Sequence, residues 1–271
     1  MKPLVVETLS EDEVILDVKD LSVKRSGNLI LKNINFTIKR GEFVGLVGPN
    51  GSGKSTLLLT LLGVLKSHQG SVTVYGHQPL SSRLIGKIGW VAQAAANLPK
   101  DIRITVRELV RLGTINGKNM FRFADVGRRK CVDKAIKMVG LEDVANRDIA
   151  RLSGGQRQRA IIARALASES EFILLDEPLV GIDRESRNSL LKLLDQLCHD
   201  EGKTILMVSH DLTAIRQTAH RMMFLEQTIR FDGKSDEFPD LVKLADLRGI
   251  GAVHDHADHH HHHHHHHKEE E

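Results

Sequence analysis

The sequence is poor in the residues that build covalent or aromatic scaffolds. It holds one tryptophan, one tyrosine and two cysteines in 271 residues. Cys131 and Cys198 stand far apart and form no C-x-x-C pair, which argues against a disulfide framework or a cysteine zinc site and fits a reducing compartment. Long apolar runs are missing as well. The longest apolar-rich stretch, LLLTLLGVL from Leu57 to Leu65, falls far short of the roughly 20 residues that cross a bilayer. The start, MKPLVVETLSEDEV, turns acidic before an apolar region of useful length builds up, so no secretory leader is expected. An excess of one charge is also lacking. The formal net charge is +3, and eleven of the sixteen histidines lie after Val253, so composition does not point to nucleic acid as a partner. From these absences a soluble chain is expected, one that acts at a membrane, if it does so, through a partner.

What is present is a β/α rhythm. Hydrophobic residues make up 41% of the chain, enough for a sizeable core. Residues 1–12 read as a flexible terminus. VILDVKDLSV and LKNINFTI read as strands on either side of the turn-like RSGN. FVGLV is a short apolar β-type run, followed by a glycine-rich loop and a Leu-rich helix, and SVTVYG and IGWVA are further strands. From about 94 to 156 β-type runs are scarce. There, TVRELVRLG and CVDKAIKMVGLEDV have helical spacing, with Val132, Ile136 and Val139 on one face. After this helical insert come a helix over 155–168, the strand FILL, and a helix with Leu190, Leu193, Leu194 and Leu197 on one face. The strand TILMVS, a further helix and a short β region reach about Asp236. Such alternation implies an α/β fold, a mostly parallel sheet covered by helices on both faces. The folded domain is expected over 13–250, and 251–271 as a disordered His-rich tail.

Two segments carry chemistry. The loop from Gly48 through Pro49, Asn50, Gly51, Ser52, Gly53, Lys54 and Ser55 to Thr56 matches G-x-x-x-x-G-K-[ST] between a strand and a helix. Its glycines let backbone N–H groups turn toward phosphate oxygens, and the helix N-terminus adds partial positive charge. Lys54 suits the β- and γ-phosphates of a nucleotide, and the Ser55 hydroxyl suits Mg²⁺. FILLDEP is an apolar strand that ends in two adjacent carboxylates. Asp176 suits Mg²⁺ from outside its ligand shell or through water, and Glu177 suits the base that polarises an attacking water.

Leu152, Ser153, Gly154, Gly155 and Gln156 spell LSGGQ, followed by RQR. With GPNGSGKST, FILLDEP and VSHD in this order, residues 14–235 closely resemble the ATP-binding cassette ATPases. The resemblance implies a P-loop NTPase core with a helical subdomain and an antiparallel β subdomain, with ATP and Mg²⁺ as ligands. It implies that Ser153, Gly154 and Gly155 bind the γ-phosphate of ATP held by the opposite subunit, in keeping with a small-residue helix start as an anion site. Gln93 resembles the glutamine that senses Mg²⁺ and links the core to the helical insert. His210 resembles the switch histidine at the γ-phosphate, and Asp183 the aspartate that couples the two sites of a dimer. The family usually places an aromatic residue on adenine where this chain has Arg25, whose guanidinium either stacks on the base or points to solvent. Ala92 stands where proline is common.

With one phosphate loop and one signature segment per chain, the resemblance implies a homodimer that sandwiches two ATP molecules. The leading reading is the energy subunit of a transporter at the cytoplasmic face of the membrane, with a separate permease and an extracytoplasmic solute-binding protein as partners. A soluble cassette ATPase is the first alternative, although such proteins usually carry two cassettes or coiled-coil arms. A regulatory nucleotide-binding module is the second, disfavoured by the intact Glu177 and His210. WVAQAAANLPKDIRITVRELVRLG and LVGID are similar to zinc- and manganese-type importers, while cassettes for cobalt, nickel, iron chelates or organic solutes share much of both. The basic stretch 117–130 reads as a solvated helix face, or as a surface for a permease or anionic lipid.

The tail holds His254, His256 and an unbroken run that starts with His259, His260 and His261. Its imidazoles suit Zn²⁺, Ni²⁺, Co²⁺ or Cu²⁺. HDHAD before the run and KEEE after it favour a native segment over an engineered handle. Removing 254–271 is expected to leave basal ATP hydrolysis intact, which a phosphate-release assay on the shortened chain checks.

Overall fold

The computed structural model describes residues 13–93, 103–115 and 126–239. The N-terminal segment, the stretch after Gln93, most of the basic segment and the His-rich tail lie outside the described residues. β1 (Val14–Arg25) and β2 (Asn28–Lys39) form an antiparallel hairpin. RSGN closes it with Ser26 at φ 49° and Gly27 at φ 82°, the pair of positive φ values that matches a two-residue turn to the twist of its strands. β3 (Phe43–Val47) leads into the glycine-rich loop and α1 (Lys54–Leu61). β4 (Gln69–Val74) pairs with the free side of β1, giving the order β2-β1-β4.

The second sheet is built from β3 and five later strands: β5 (Ile88–Val91), β6 (Phe172–Asp176), β7 (Thr204–Val208), β8 (Arg221–Glu226) and β9 (Thr228–Lys234). Their order is β5-β6-β7-β3-β8-β9, parallel throughout except for β9, which returns antiparallel to β8. Every residue of β3, β6 and β7 is buried. A parallel sheet covered on both faces needs continuous apolar runs rather than alternation, and FVGLV, FILL and TILMV supply them. Leu57, Leu58 and Leu61 of α1 join Leu16 and Ile38 of the antiparallel sheet and Phe172, Leu174 and Leu206 of the parallel one in a single apolar cluster. α1 is apolar on several sides because it is a core helix rather than a surface one.

The helical insert contains α2 (Val106–Leu112), α3 (Val126–Met138) and the start of α4 (Gly154–Leu166). α2 begins with a capping box, Thr105 and Glu108 each closing on the other's backbone N–H. Val132, Ile136 and Val139 are buried together. The helix expected over CVDKAIKMVGLEDV is interrupted, however. α3 ends at Met138, Gly140 turns the chain at φ 64°, and Glu142–Val144 form a separate 3₁₀ turn. Leu141 and Val144 are buried as well, so the apolar spacing runs across a break that a left-handed glycine makes.

α5 (Arg184–His199) buries Leu190, Leu193, Leu194 and Leu197, the face its spacing predicts, and α6 (Leu212–Thr218) precedes β8. The compact unit ends at Phe238.

Neither cysteine forms a disulfide. The buried Cys198 thiol donates to the Gly41 carbonyl oxygen at 3.0 Å, and burial pushes it up to about 12. With thiolate scarce and access closed, Cys198 is expected to escape iodoacetamide in the native chain at mildly alkaline pH and to react once guanidinium unfolds it. Mass spectrometry of the labelled peptides reads this directly.

Candidate functional site

The carboxyl ends of β3, β6 and β7 stand side by side, so the residues that follow them meet. The loop after β3 is held close to β8. A Cβ added at Gly48 would lie 2.2 Å from the Leu225 carbonyl oxygen, so the loop takes this path only without a side chain there. Lys54, at the start of α1, is 7% exposed. Its ammonium donates to the carbonyl oxygens of Gly48 at 2.8 Å and Pro49 at 2.9 Å. Burial lowers its pKa, against the pull of Glu177 and Asp176.

Asp176, the last residue of β6, is 8% exposed. The Ser55 hydroxyl reaches it only at 3.5 Å, and burial raises its pKa. A buried carboxylate with so weak a partner invites a cation. Its oxygen and the Ser55 hydroxyl form a hard, all-oxygen pair of the kind Mg²⁺ prefers. Ser52 adds a buried hydroxyl with no hydrogen-bond partner among the described residues.

Glu177 continues the ladder one step past β6, its N–H donating to the Val208 carbonyl oxygen at 3.0 Å. Its φ is 52°, a left-handed conformation that a non-glycine residue holds only under constraint. One carboxylate oxygen, Oε2, lies 2.8 Å from His210 Nδ1 and accepts the His210 backbone N–H at 3.3 Å. Glu177 and His210 therefore act as one unit, the first side chain mostly covered and the second 63% exposed.

These groups border a cleft of about 340 Å³ lined by Asn50, Gly51, Gly53, Lys54, Ser55 and Thr56, together with Arg25, Ile30, Gln93 and Glu177. Arg25 is placed there by the β1–β2 hairpin and Gln93 by the end of β5. Ile30 escaped the sequence reading, because one isoleucine on a strand carries no signal.

The signature segment lies elsewhere. Ser153 caps α4 and shares a reciprocal capping box with Gln156, both bonds being 3.2 Å. Leu152 is buried. A Cβ on Gly155 would come within 2.4 Å of the Ser186 hydroxyl oxygen on α5, so the glycine here serves close helix packing. Asp183 caps α5, accepting the Ser186 N–H at 2.9 Å, and this bond holds its carboxyl below the usual range. No residue of 152–156 lines the cleft among the described residues. A second contact without a sequence signal is the ion pair of Arg187 on α5 with Asp211, at 2.6 Å. Asp211 also caps α6 through the Ala214 N–H, so the pair braces the chain immediately after His210.

Known proteins are similar to this chain in sequence and in fold. The ABC transporter family profile matches residues 31–180. A zinc uptake system ATP-binding protein, ZurA of Listeria innocua, is 39% identical over 83% of this chain and 87% of its own length. A manganese transport system ATP-binding protein, MntB of Halalkalibacterium halodurans, is 38% identical over 79% of this chain and 84% of its own. Among solved structures, cbiO1 of Clostridium perfringens, part of the ABC transporter complex cbiONQ, superposes with a TM-score of 0.75 at 29% identity, covering 88% of this chain and 96% of that one. A dimeric ATP-binding cassette in a post-hydrolysis state with ADP and Pi gives 0.68 at 34% identity, over 83% of this chain and all of that one. With its phosphate loop, acid pair and signature helix on the elements described above, the chain belongs to the ABC transporter family and is an ATPase of it.

Proposed function

We propose that the chain is the energy-coupling ATPase subunit of an importer of divalent metal ions, of the zinc and manganese type. The cargo assignment rests on relatives named for zinc uptake and manganese transport at 38–39% identity over about four-fifths of the chain. One observation carries the mechanism: the cleft gathers the phosphate loop, Glu177 and Gln93 but no signature residue. A second copy must then supply Ser153, Gly154 and Gly155 to complete the nucleotide site. Among the described residues no helix is long and apolar enough to cross a membrane. Separate permease subunits would provide the pathway, with this chain docked at the cytoplasmic face and a solute-binding protein delivering the metal outside.

In this reading Lys54 exchanges its two neutral carbonyl partners for the β- and γ-phosphates. Charge-assisted bonds to phosphate are stronger than those it gives up. Ser55, Asp176 and Gln93 would hold Mg²⁺, which when bound neutralises phosphate charge. Glu177 orients the attacking water and takes its proton. His210 Nδ1 is engaged by Glu177, which leaves Nε2 to meet the γ-phosphate. Arg25 stands where a cation can stack on the base. Asp183 couples the two sites across the dimer from its place at the start of α5. ATP favours the closed dimer because only that form contacts it from both sides.

Two substitutions test the assignment. Glu177→Gln keeps the shape but not the base, so hydrolysis is expected to fall by about 100-fold or more while an ATP-bound dimer accumulates in size-exclusion chromatography. Turnover at the wild-type rate would refute the role. Gly48→Ala forces a methyl group against the Leu225 carbonyl, and nucleotide binding measured with a fluorescent ATP analogue is expected to be lost.

A further inference from the structure

The phosphate loop follows the carboxyl end of β3. At the amino end, roughly 15 Å away at a strand's rise per residue, a second group of ligating side chains converges. Asp195 and His199 lie one turn apart on α5, with Asp195 Oδ1 3.4 Å from His199 Nε2. His220, just before β8, brings its Nε2 to 3.3 Å from the same nitrogen. The three ligand atoms all lie within 4.8 Å of one another, the one such His/Asp grouping among the described residues.

The separations have a specific meaning. Zinc bonds to imidazole nitrogen and carboxylate oxygen are about 2.0–2.2 Å, and a tetrahedral array of such ligands sets its atoms about 3.3–3.5 Å apart. Two of the three edges already have that length. Two imidazoles and one carboxylate also form a donor set for Zn²⁺, Co²⁺ or Ni²⁺ rather than for Mg²⁺, which demands oxygen. The His199 side chain is 60% exposed, which leaves room for water as a fourth ligand. His199 and His220 line an open cleft of about 860 Å³, so an ion has a path in.

A surface Asp–His pair one helical turn apart is common without a metal. Here the histidine from another element changes the balance. His220 Nδ1 accepts the Phe43 N–H at 3.2 Å, so the neutral ring carries its proton on Nε2, aimed at His199 Nε2. That proton serves one edge of the triangle and leaves the Asp195 oxygen and His199 Nε2 facing each other as acceptors. A cation at the centre satisfies these two acceptors and gains His220 Nε2 as a third ligand once its proton has moved to Nδ1.

We propose that Asp195, His199 and His220 form a binding site for one divalent transition-metal ion, separate from the nucleotide site and with zinc as its representative. Binding moves the His220 proton from Nε2 to Nδ1, where it opposes the Phe43 N–H and ends that hydrogen bond. Occupancy is thus felt at the first residue of β3, the strand that leads to the phosphate loop. The proposal does not depend on the cargo of the transporter.

The test uses the full-length chain with its tail histidines, His254 to His267, replaced by serine, so that the tail takes no zinc. Calorimetric titration with Zn²⁺ in excess Mg²⁺ is expected to show one site per chain. His199→Ala and Asp195→Asn, both at solvent-accessible positions, are each expected to weaken it at least roughly tenfold, since even the loss of an outer-shell partner costs 10- to 100-fold. Circular dichroism should show both variants folded. Absence of zinc binding in the parent chain, or binding unchanged in both variants, would overturn the site. Loss of binding with Asp176→Asn but not with His199→Ala would place the ion in the nucleotide cleft and equally overturn it.

Discussion

Two opposite charges are kept out of water at the carboxyl edge of one sheet without being paired to each other. Lys54 and Asp176 are each less than a tenth exposed. Burial pushes the lysine down and the aspartate up. Buried ions without good partners are costly, by several kcal/mol each. Lys54 spends its protons on two carbonyl oxygens, and Asp176 has only a long contact with Ser55. A direct ion pair would satisfy both and leave nothing for a ligand. The fully buried strands and the α1 core hold the two groups close but apart, so that in the proposed reading a polyanion and its cation would complete the arrangement.

Much of this was legible because the chemistry sits next to the short apolar runs. FVGLV, FILL and TILMV each precede a functional group, and parallel strands bring the groups together at one edge. RSGN announced its turn through Gly27, and that turn places Arg25 at the cleft. Other features carried no sequence signal. Periodicity does not say which strands pair, so β3 between β7 and β8 was not readable. Apolar spacing ran across the break at Gly140 and made two elements look like one. Arg187 with Asp211, and Asp195 and His199 with His220, depend on helices and turns brought together by the fold from positions well separated in sequence. Asp183 was read for its place across a dimer, and within its own chain it caps α5.

The packing of Gly155 against Ser186 joins the signature helix to the helix that follows the acid pair. Asp183 bonds to the backbone of that same Ser186. The start of α4 and the first turn of α5 are thus in close contact without a side chain on Gly155 to cushion them. Interfaces this close shift as units rather than deform gradually. The segment that would meet a neighbour's nucleotide and the residue that would hydrolyse the chain's own are therefore mechanically connected within one protomer.

The register of β6 and β7 pairs Asp176 with Val208, and Glu177 adds one more rung. Glu177 and His210 are thereby located by a ladder of backbone hydrogen bonds, not by the loops they begin. Dropping one residue inside either strand would slide its end by about 3.3 Å and turn every side chain to the opposite face. Adding residues at Glu201 and Gly202, in the exposed turn between α5 and β7, would leave both ladders and the buried face of α5 in place. Length variation is thus forbidden within ten strand positions and permitted in that short turn, which makes it the natural place for the chain to acquire new surface.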